Sequence, residues 1–364
     1  MKIAHITSVH PENDNRILYK ECTTLSNAGY DVKLIVAGVK NKVLNGITIL
    51  GYDKADGGRV KRIFQTSFFR MLKICKEVDV DLYHFHDPEL MFVGLFLKLK
   101  GKKVIYDIHE NNSASILSKP YIKSKFLKQI LSKVFNVVEQ ISSNFFDALV
   151  TARPDITEKF KHNNIITLRN FPILPDFSNL IEIEIKKNKP AIIFVGGMTN
   201  IRGINELLDA FENLDEYELW LLGPITEKRL ENRIKLGCKN VRYFGIVEAF
   251  NVFSYIDNAD IGIITFLEAP NHVNTLATKP FEYMACGKPI IMSNFEYWKT
   301  TFKESSVYVD PSNSQEIANV IRTLFMDKKL MQSMGKLNKK LSQDVYNWKK
   351  ESQKLVNLYR KLEE

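Results

Sequence analysis

The chain is poor in sulfur chemistry. Its four cysteines (Cys22, Cys75, Cys238 and Cys286) are spread over 364 residues and form no CxxC pair. Such spacing argues against a disulfide framework or a cysteine zinc site and suits reduced, packed thiols in a cytosolic protein. No apolar run approaches the roughly 18–20 residues of a membrane span. The first residues, MKIAHITSVHP, turn polar too early for a secretory signal, so a cytoplasmic location is expected. Neither an internal repeat nor a low-complexity segment is visible. No metal cluster is legible either: Asp79-Val80-Asp81 reads as the opening of a strand, and His84 and His86, on one face of a strand end, lack a readable third ligand. Neither a metal nor a cofactor is therefore expected. What is present is 45% hydrophobic and 26% charged residues, the balance of a soluble globular protein, and length enough for two domains. A net charge of +9 calls for an acidic partner: nucleic acid, anionic lipid or a nucleotide-sugar.

Strand and helix signals alternate from end to end. Apolar runs at 3–7, 32–37, 82–85, 104–107 and 149–151 are separated by helix-like stretches such as 15–27 and 71–77. The pattern restarts at 191–195, 219–222, 241–244, 261–265, 289–292 and 307–309. Alternation of this kind implies an α/β fold with parallel sheets covered on both faces. The intervening NFPILPDFSNLIEIEIKKNKP is poorly periodic and reads as a linker. The expected organisation is a first domain over 1–172, a linker over 173–190 and a second domain over 191–344. Helical runs at 313–325, 327–340 and 345–363 follow, the last with an apolar stripe of Trp348, Leu355, Leu358 and Tyr359.

The most informative segment is 270–290, PNHVNTLATKPFEYMACGKPI, which follows the strand 261–265. A short helix is expected from about Thr278 to the Gly287-Lys288-Pro289 turn. Its start offers free N–H groups and a positive dipole end, which suit a phosphate. Lys279 adds a cation there, and Glu282 is placed to accept hydrogen bonds from sugar hydroxyls. The pattern N-x-L-x-x-K-x-F-E-Y-M-A followed by C-G-K-P resembles the donor-site signature of GT-B glycosyltransferases, the large retaining family numbered four. There a Glu, seven residues and a second Glu precede the turn. Glu282 matches the second Glu, which holds the donor ribose; Asn274 stands where many members carry the first. Resemblance implies that Asn274, Thr275 and Leu276 line the donor site.

Other segments extend the resemblance. In VGGMTNIRG (195–203), Gly196 and Gly197 permit close backbone approach, and Arg202 matches the second of two cations that clamp the donor diphosphate; Gly197 replaces the first. In LLGP (221–224) and VRYFGIV (241–247), Gly223 and Gly245 permit close backbone approach to the donor, and the resemblance implies that 244–247, with Ile246, border the nucleobase. YDIHEN ends a first-domain strand; by resemblance His109 matches a His that approaches the donor sugar, and Glu110 is expected on the acceptor side. LYHFHDPEL assigns His86 and Asp87 to the acceptor side. TSVHPENDNRILYKE fits H-x(3)-D-x-R-I-x(2)-K-E, so His10 joins them, and Arg16 with Lys20 is expected to reach an acceptor phosphate. Asp14 reads equally as a helix cap.

In 119–141, apolar residues Phe126, Leu127, Ile130, Leu131, Val134, Val138 and Ile141 recur at helical spacing. Lys119, Lys123, Lys125, Lys128 and Lys133 meet no acid until Glu139. Two readings stay open: a core-facing helix with a solvated basic face, or one lying on an anionic membrane.

The resemblance implies a GT-B fold, two Rossmann-like doubly wound parallel-sheet domains facing across a cleft, with the final helix, 345–364, returning to the first. It also implies metal-independent transfer of a sugar, with retention, from a nucleoside diphosphate sugar, most often UDP-linked, to a glycan or lipid-linked saccharide. His109, Arg202, Lys279 and Glu282 would carry the chemistry, at the inner face of the cytoplasmic membrane if the basic helix docks there. The competitors are a nucleotide-sugar 2-epimerase of the same fold and a non-catalytic nucleic-acid binder. The lysines lack interleaved aromatics and no nucleic-acid motif is present, which disfavours the latter.

Overall fold

The computed structural model describes residues 1–58, 61–117, 119, 122–236, 239–248 and 251–364. Cys238 and the residues Pro120 and Tyr121 of the basic stretch lie outside them. The chain forms two compact units, Met1–Asn170 with Glu351–Glu364, and Phe171–Lys350.

In the first unit the strands are β1 (Lys2–Thr7), β2 (Asp31–Ala37), β3 (Lys42–Leu44), β4 (Ile47–Tyr52), β5 (Leu82–Phe85), β6 (Lys103–Ile108), β7 (Ala148–Thr151) and β8 (Ile165–Thr167). Among the described residues they make one sheet in the order β3-β4-β2-β1-β5-β6-β7-β8. All neighbours run parallel except β3 and β4. That hairpin was not expected from hydrophobic pattern, yet its cause is local: Leu44 pairs with Ile47 across Asn45-Gly46, both at positive φ (52° and 75°). Asn-Gly is the favoured two-residue hairpin turn because both residues tolerate that conformation. Strand β8 was also missed; three half-buried residues carry little periodic signal.

Six strands build the second unit: β9 (Ala191–Val195), β10 (Glu218–Leu222), β11 (Val241–Gly245), β12 (Ile261–Ile264), β13 (Ile290–Ser293) and β14 (Val307–Val309). Their order is β11-β10-β9-β12-β13-β14, all parallel. The central strands β9, β10, β12 and β13 are buried throughout, as parallel strands covered on both faces must be. One face packs Ile192, Phe194, Leu219 and Leu221 with Leu207, Phe211 and Ile317. The other packs Ile193, Val195 and Trp220 with Tyr283, Met284 and Trp298.

The basic segment meets its core-facing reading in part. The helix Lys125–Ser143 starts at Ser124, whose Oγ accepts from Leu127 N at 3.2 Å. Phe135 and Val138 pack on the core, beside buried Glu139, Ser142 and Ser143. Phe126 (72% exposed), Val134 (55%) and Ile141 (57%) face outward, with Leu127, Ile130, Leu131 and Val137 also exposed. Of the apolar stripe read from the sequence, Val138 packs on the core and the other six residues are exposed. The inward side of this helix is held by polar bonds: Glu139 Oε1 accepts from Tyr106 Oη and Asn112 Nδ2, each at 2.9 Å. Among the described residues no helix is long and apolar enough to cross a membrane.

Candidate functional site

Each sheet reverses its direction of growth once. In the first unit the chain runs outward from β1 through β2 to β4, then returns to place β5 against β1. In the second it runs from β9 to β11, then returns to place β12 against β9. The loops leaving two adjacent strands part at such a point, so ligands favour the carboxyl ends there. The motif residues lie at these two places: His10, His86 and Asp87 beyond β1 and β5, and Gly196 to Arg202 beyond β9, opposite Phe266 beyond β12.

In the first unit the switch point is built from imidazoles and carboxylates. Asp87 accepts from Thr7 Oγ1 (2.8 Å) and from the Ser8 backbone N (2.5 Å) through Oδ2, while Oδ1 lies 2.9 Å from His10 Nδ1. Burial works against both charges. The mutual pairing outweighs it, so the Asp87 carboxyl falls to about 2 and the His10 imidazole rises above 6.5. His109 Nε2 sits 2.8 Å from Asp107 Oδ2, and the His10 and His109 rings are 5.0 Å apart. These two rings are partly exposed; His86 lies buried beneath, with Nδ1 3.2 Å from Asp107 Oδ2. Burial lowers the His86 pKa to about 4, against the pull of Asp107. The structure thus brings His10, His86, Asp87 and His109 together, while Glu110 is exposed. A cavity of about 720 Å³ is found in the second unit and one of 620 Å³ here, the latter lined by His10, Glu12, Lys40, Lys42 and Lys54.

Arg16 and Lys20 do not reach outward as expected. Both lie on the π-helix Asn15–Cys22, which Asp14 caps by accepting from Arg16 N and Ile17 N. Arg16 is 5% exposed. Its Nε and Nη2 donate to the two oxygens of Asp107 at 3.0 and 2.9 Å, and Nη1 donates to Leu168 O at 2.8 Å. Lys20 Nζ donates to Asn170 Oδ1 at 2.5 Å. With its donors occupied by Asp107 and a backbone carbonyl, Arg16 is a strut and not an acceptor-phosphate ligand.

The second unit presents a different chemistry. Beyond β9, Gly196 N donates to Leu222 O at 2.8 Å and Gly223 N to Gly245 O at 2.7 Å, so the glycine ends of three strands are tied side by side. Arg202 closes the short 3-10 turn Asn200–Arg202 ahead of the helix Ile204–Phe211. The intervening Gly203 (φ 70°) passes so near β12 that a Cβ would meet Thr265 O at 1.8 Å, so no larger residue fits. Arg202 Nη1 donates to Gly197 O at 3.0 Å, and its guanidinium lies over Phe266, 5.4 Å from the ring centroid. Among the described residues no carboxylate pairs with it, and burial lowers its pKa. Gly197 thus meets Arg202 with a backbone carbonyl.

Phe266 leads on to the 270–290 segment. Its ring lies 4.8 Å from His272, whose Nδ1 donates to Leu267 O at 3.0 Å. Burial, joined by the charge of Arg202, lowers the His272 pKa against that carbonyl. Thr275 N donates to His272 O at 3.3 Å, and Thr275 O accepts from Trp298 Nε1 at 2.6 Å. Asn274 lines the 720 Å³ cavity, and Leu276 packs on the core. The helix runs Lys279–Ala285, where Lys279 Nζ donates to both oxygens of Glu282 at 2.7 and 2.8 Å. The expected phosphate cation and hydroxyl reader thus hold one another. Ile246 is 75% exposed. Phe266 and His272 were missed from sequence; the only available signal was their place after a buried strand.

Residues 189–327 match the family described as Glycosyl transferases group 1. The matched residues lie within the second unit, Phe171–Lys350. No curated protein matches the chain in sequence. Solved structures match along its length: sucrose-phosphate synthase from Thermosynechococcus elongatus at TM-score 0.76 and 16% identity, covering 99% of this chain and 98% of that one. HepE of Anabaena, solved in complex with UDP, matches at 0.72 and 14%, covering 99% and 100%. WaaG, a glycosyltransferase involved in lipopolysaccharide biosynthesis, matches at 0.68 and 13%, covering 98% of each. The fold is GT-B, and the stretch matched by the family contains Arg202, Asn274, Lys279 and Glu282.

Proposed function

We propose that this protein transfers a sugar, with retention, from a nucleoside diphosphate sugar, UDP-linked foremost, to a glycan or lipid-linked saccharide. The observation that carries this reading is Arg202: a half-buried guanidinium at a topological switch point, without a carboxylate partner among the described residues. A guanidinium so placed is short of an anion, and its planar fork fits phosphate oxygens. Its setting in a group 1 domain, and HepE's complexes with UDP and UDP-glucose, support a nucleotide-sugar as that anion.

As the glycosidic bond breaks, negative charge builds on the leaving diphosphate. Arg202 and Lys279 would stabilise it, without a metal at that position; Pro280 brings no N–H to the start of the helix Lys279–Ala285 and Phe281 N donates to Thr278 O, so the helix start adds little. Glu282, released from or sharing Lys279, would accept the ribose hydroxyls. On the first unit His109, held by Asp107, would face the donor sugar, and His10, held by Asp87, the acceptor.

Thermal unfolding with UDP, GDP, ADP and their sugars tests the donor reading, because a ligand bound only by the folded state raises its stability. UDP and one UDP-sugar should raise the midpoint in wild type and much less in Arg202→Ala; inert nucleotides throughout would overturn it. Nucleotide release that requires an added saccharide separates transfer from 2-epimerisation, and filter binding to DNA tests the nucleic-acid alternative.

The outward apolar stripe of Lys125–Ser143, flanked by Lys123, Lys125, Lys128 and Lys133, supports docking on an anionic membrane, where a lipid-linked acceptor resides. Each lysine near such a surface contributes about 1 kcal/mol. Changing Lys123, Lys125 and Lys128 together to Glu should release the protein from phosphatidylglycerol vesicles; unchanged co-sedimentation would refute the contact.

A further inference from the structure

One polar cluster in the first unit shares only His86 with the site described above. His5 on β1 is in register with His84 on the adjacent parallel β5, and His86 follows on the same face. The three rings lie 4.5 to 5.1 Å apart, centroid to centroid. Glu21, from the π-helix Asn15–Cys22, closes the group from above. All four side chains are buried. The third ligand missing from the sequence around His84 and His86 is thus supplied from elsewhere in the chain, and a fourth with it.

Three features distinguish this group from an ordinary hydrogen-bonded core. First, one ligand atom from each residue lies within 4.8 Å of the other three. His5 Nδ1 is 2.9 Å from His86 Nε2 and 3.9 Å from Glu21 Oε2, which brackets the spacing of about 3.3 Å between ligand atoms around a tetrahedral zinc ion. Second, buried polar atoms are left over: His84 Nε2 and both Glu21 oxygens make no hydrogen bond. Glu21 Oε1 lies 2.9 Å from Arg16 Nε, but that guanidinium already serves Asp107. Third, the outer nitrogens are oriented. His84 Nδ1 is 2.8 Å from Tyr359 Oη and His86 Nδ1 is 3.2 Å from Asp107 Oδ2. Partners of this kind hold the Nδ1 side of a metal-bound imidazole and turn Nε2 inward.

We propose that His5, Glu21, His84 and His86 bind a divalent transition-metal ion of the zinc class. Three imidazoles and one carboxylate suit such an ion, and a fully buried set without an open position suits a structural role. The ion would pin β1, β5 and the π-helix together beneath His10 and His109. A second convergent set, His86, Asp107 and His109, shares His86 and has Asp107 already paired with Arg16, so the first set is the stronger.

The test uses the full-length protein. Elemental analysis after dialysis against a chelator should find about one zinc per chain. Protein unfolded in denaturant with chelator and refolded with zinc chloride should melt at a higher temperature than protein refolded without it. Cobalt chloride in place of zinc should give the visible absorption of a four-coordinate ion. In Glu21→Gln and His84→Gln that absorption should disappear, or need at least about tenfold more cobalt, while far-ultraviolet circular dichroism stays unchanged. Metal well below one equivalent with no zinc-dependent gain on refolding overturns the proposal. So does a cobalt spectrum indifferent to both substitutions, which would place the ion elsewhere. Should either variant fail to fold, the wild-type refolding pair decides alone.

Discussion

Two arginines near sheet switch points have opposite surroundings. Arg16 of the first unit is buried and engaged by Asp107, Glu21 and the Leu168 carbonyl. Arg202 of the second is half-buried and donates to a single backbone carbonyl, with an aromatic ring beneath it. The same side chain therefore does different work. Where carboxylates saturate the guanidinium, it is structural and its removal leaves charges stranded. Where only a carbonyl meets it, capacity for an external anion remains. A resemblance in motif assigned both to phosphates; the surroundings distinguish them.

The comparison breaks most visibly at Arg16. Arg16→Leu should cost about 3–5 kcal/mol, since it strands Asp107 and Glu21 in the interior, read as a fall in the urea midpoint at constant slope. Arg202→Ala should leave that midpoint nearly unchanged while lowering turnover about 100- to 1,000-fold. Equal destabilisation by the two substitutions would remove the distinction. Arg202→Lys should restore only part of the rate, because an ammonium lacks the bidentate fork.

A smaller effect is expected at Glu282, where Gln in its place frees Lys279 and weakens one charge-assisted bond. The donor KM should rise about tenfold with a lesser change in kcat; an unchanged KM would detach Glu282 from the donor. Least in magnitude, but sharpest in sign, is the His10–Asp87 pair. The raised His10 pKa gives a contribution complete below 6.5 and lost as pH rises through the folded value. The lowered Asp87 pKa gives one present above 3.8 and lost as pH falls through about 2. The pair should therefore stabilise the fold most between about pH 4 and pH 6.5. The stability gap between wild type and His10→Ala should be wider near about pH 5.5 than near about pH 9. In Asp87→Asn, the His10 titration followed by NMR should shift to lower pH.

Much of the fold was legible locally. The strands β1, β2, β5 to β7, β9, β10, β12 and β13 announce themselves because buried parallel strands are nearly continuous apolar runs, and Gly287 marks the end of Lys279–Ala285 through its positive φ of 64°. The β3–β4 hairpin was legible too, in Asn45-Gly46, had turn chemistry been weighed above hydrophobic pattern. The orientation of Lys125–Ser143 was not. Its apolar stripe has the spacing of a core face, but Glu139 is the residue that finds buried donors, in Tyr106 and Asn112. Periodicity names a face; it does not say what lies opposite.

The order of most strands and helices, the turns that end them and the excess of basic charge follow from the amino-acid sequence alone, because each depends on composition or on neighbours a few positions away. The pairing of Arg16 with Asp107 spans 91 positions and that of His84 with Tyr359 spans 275. Which charges are neutralised inside, which imidazoles converge and which arginine keeps its fork open are decided only when those distant residues meet. An ion's energy in a protein interior is set by the groups around it, and folding brings those groups together.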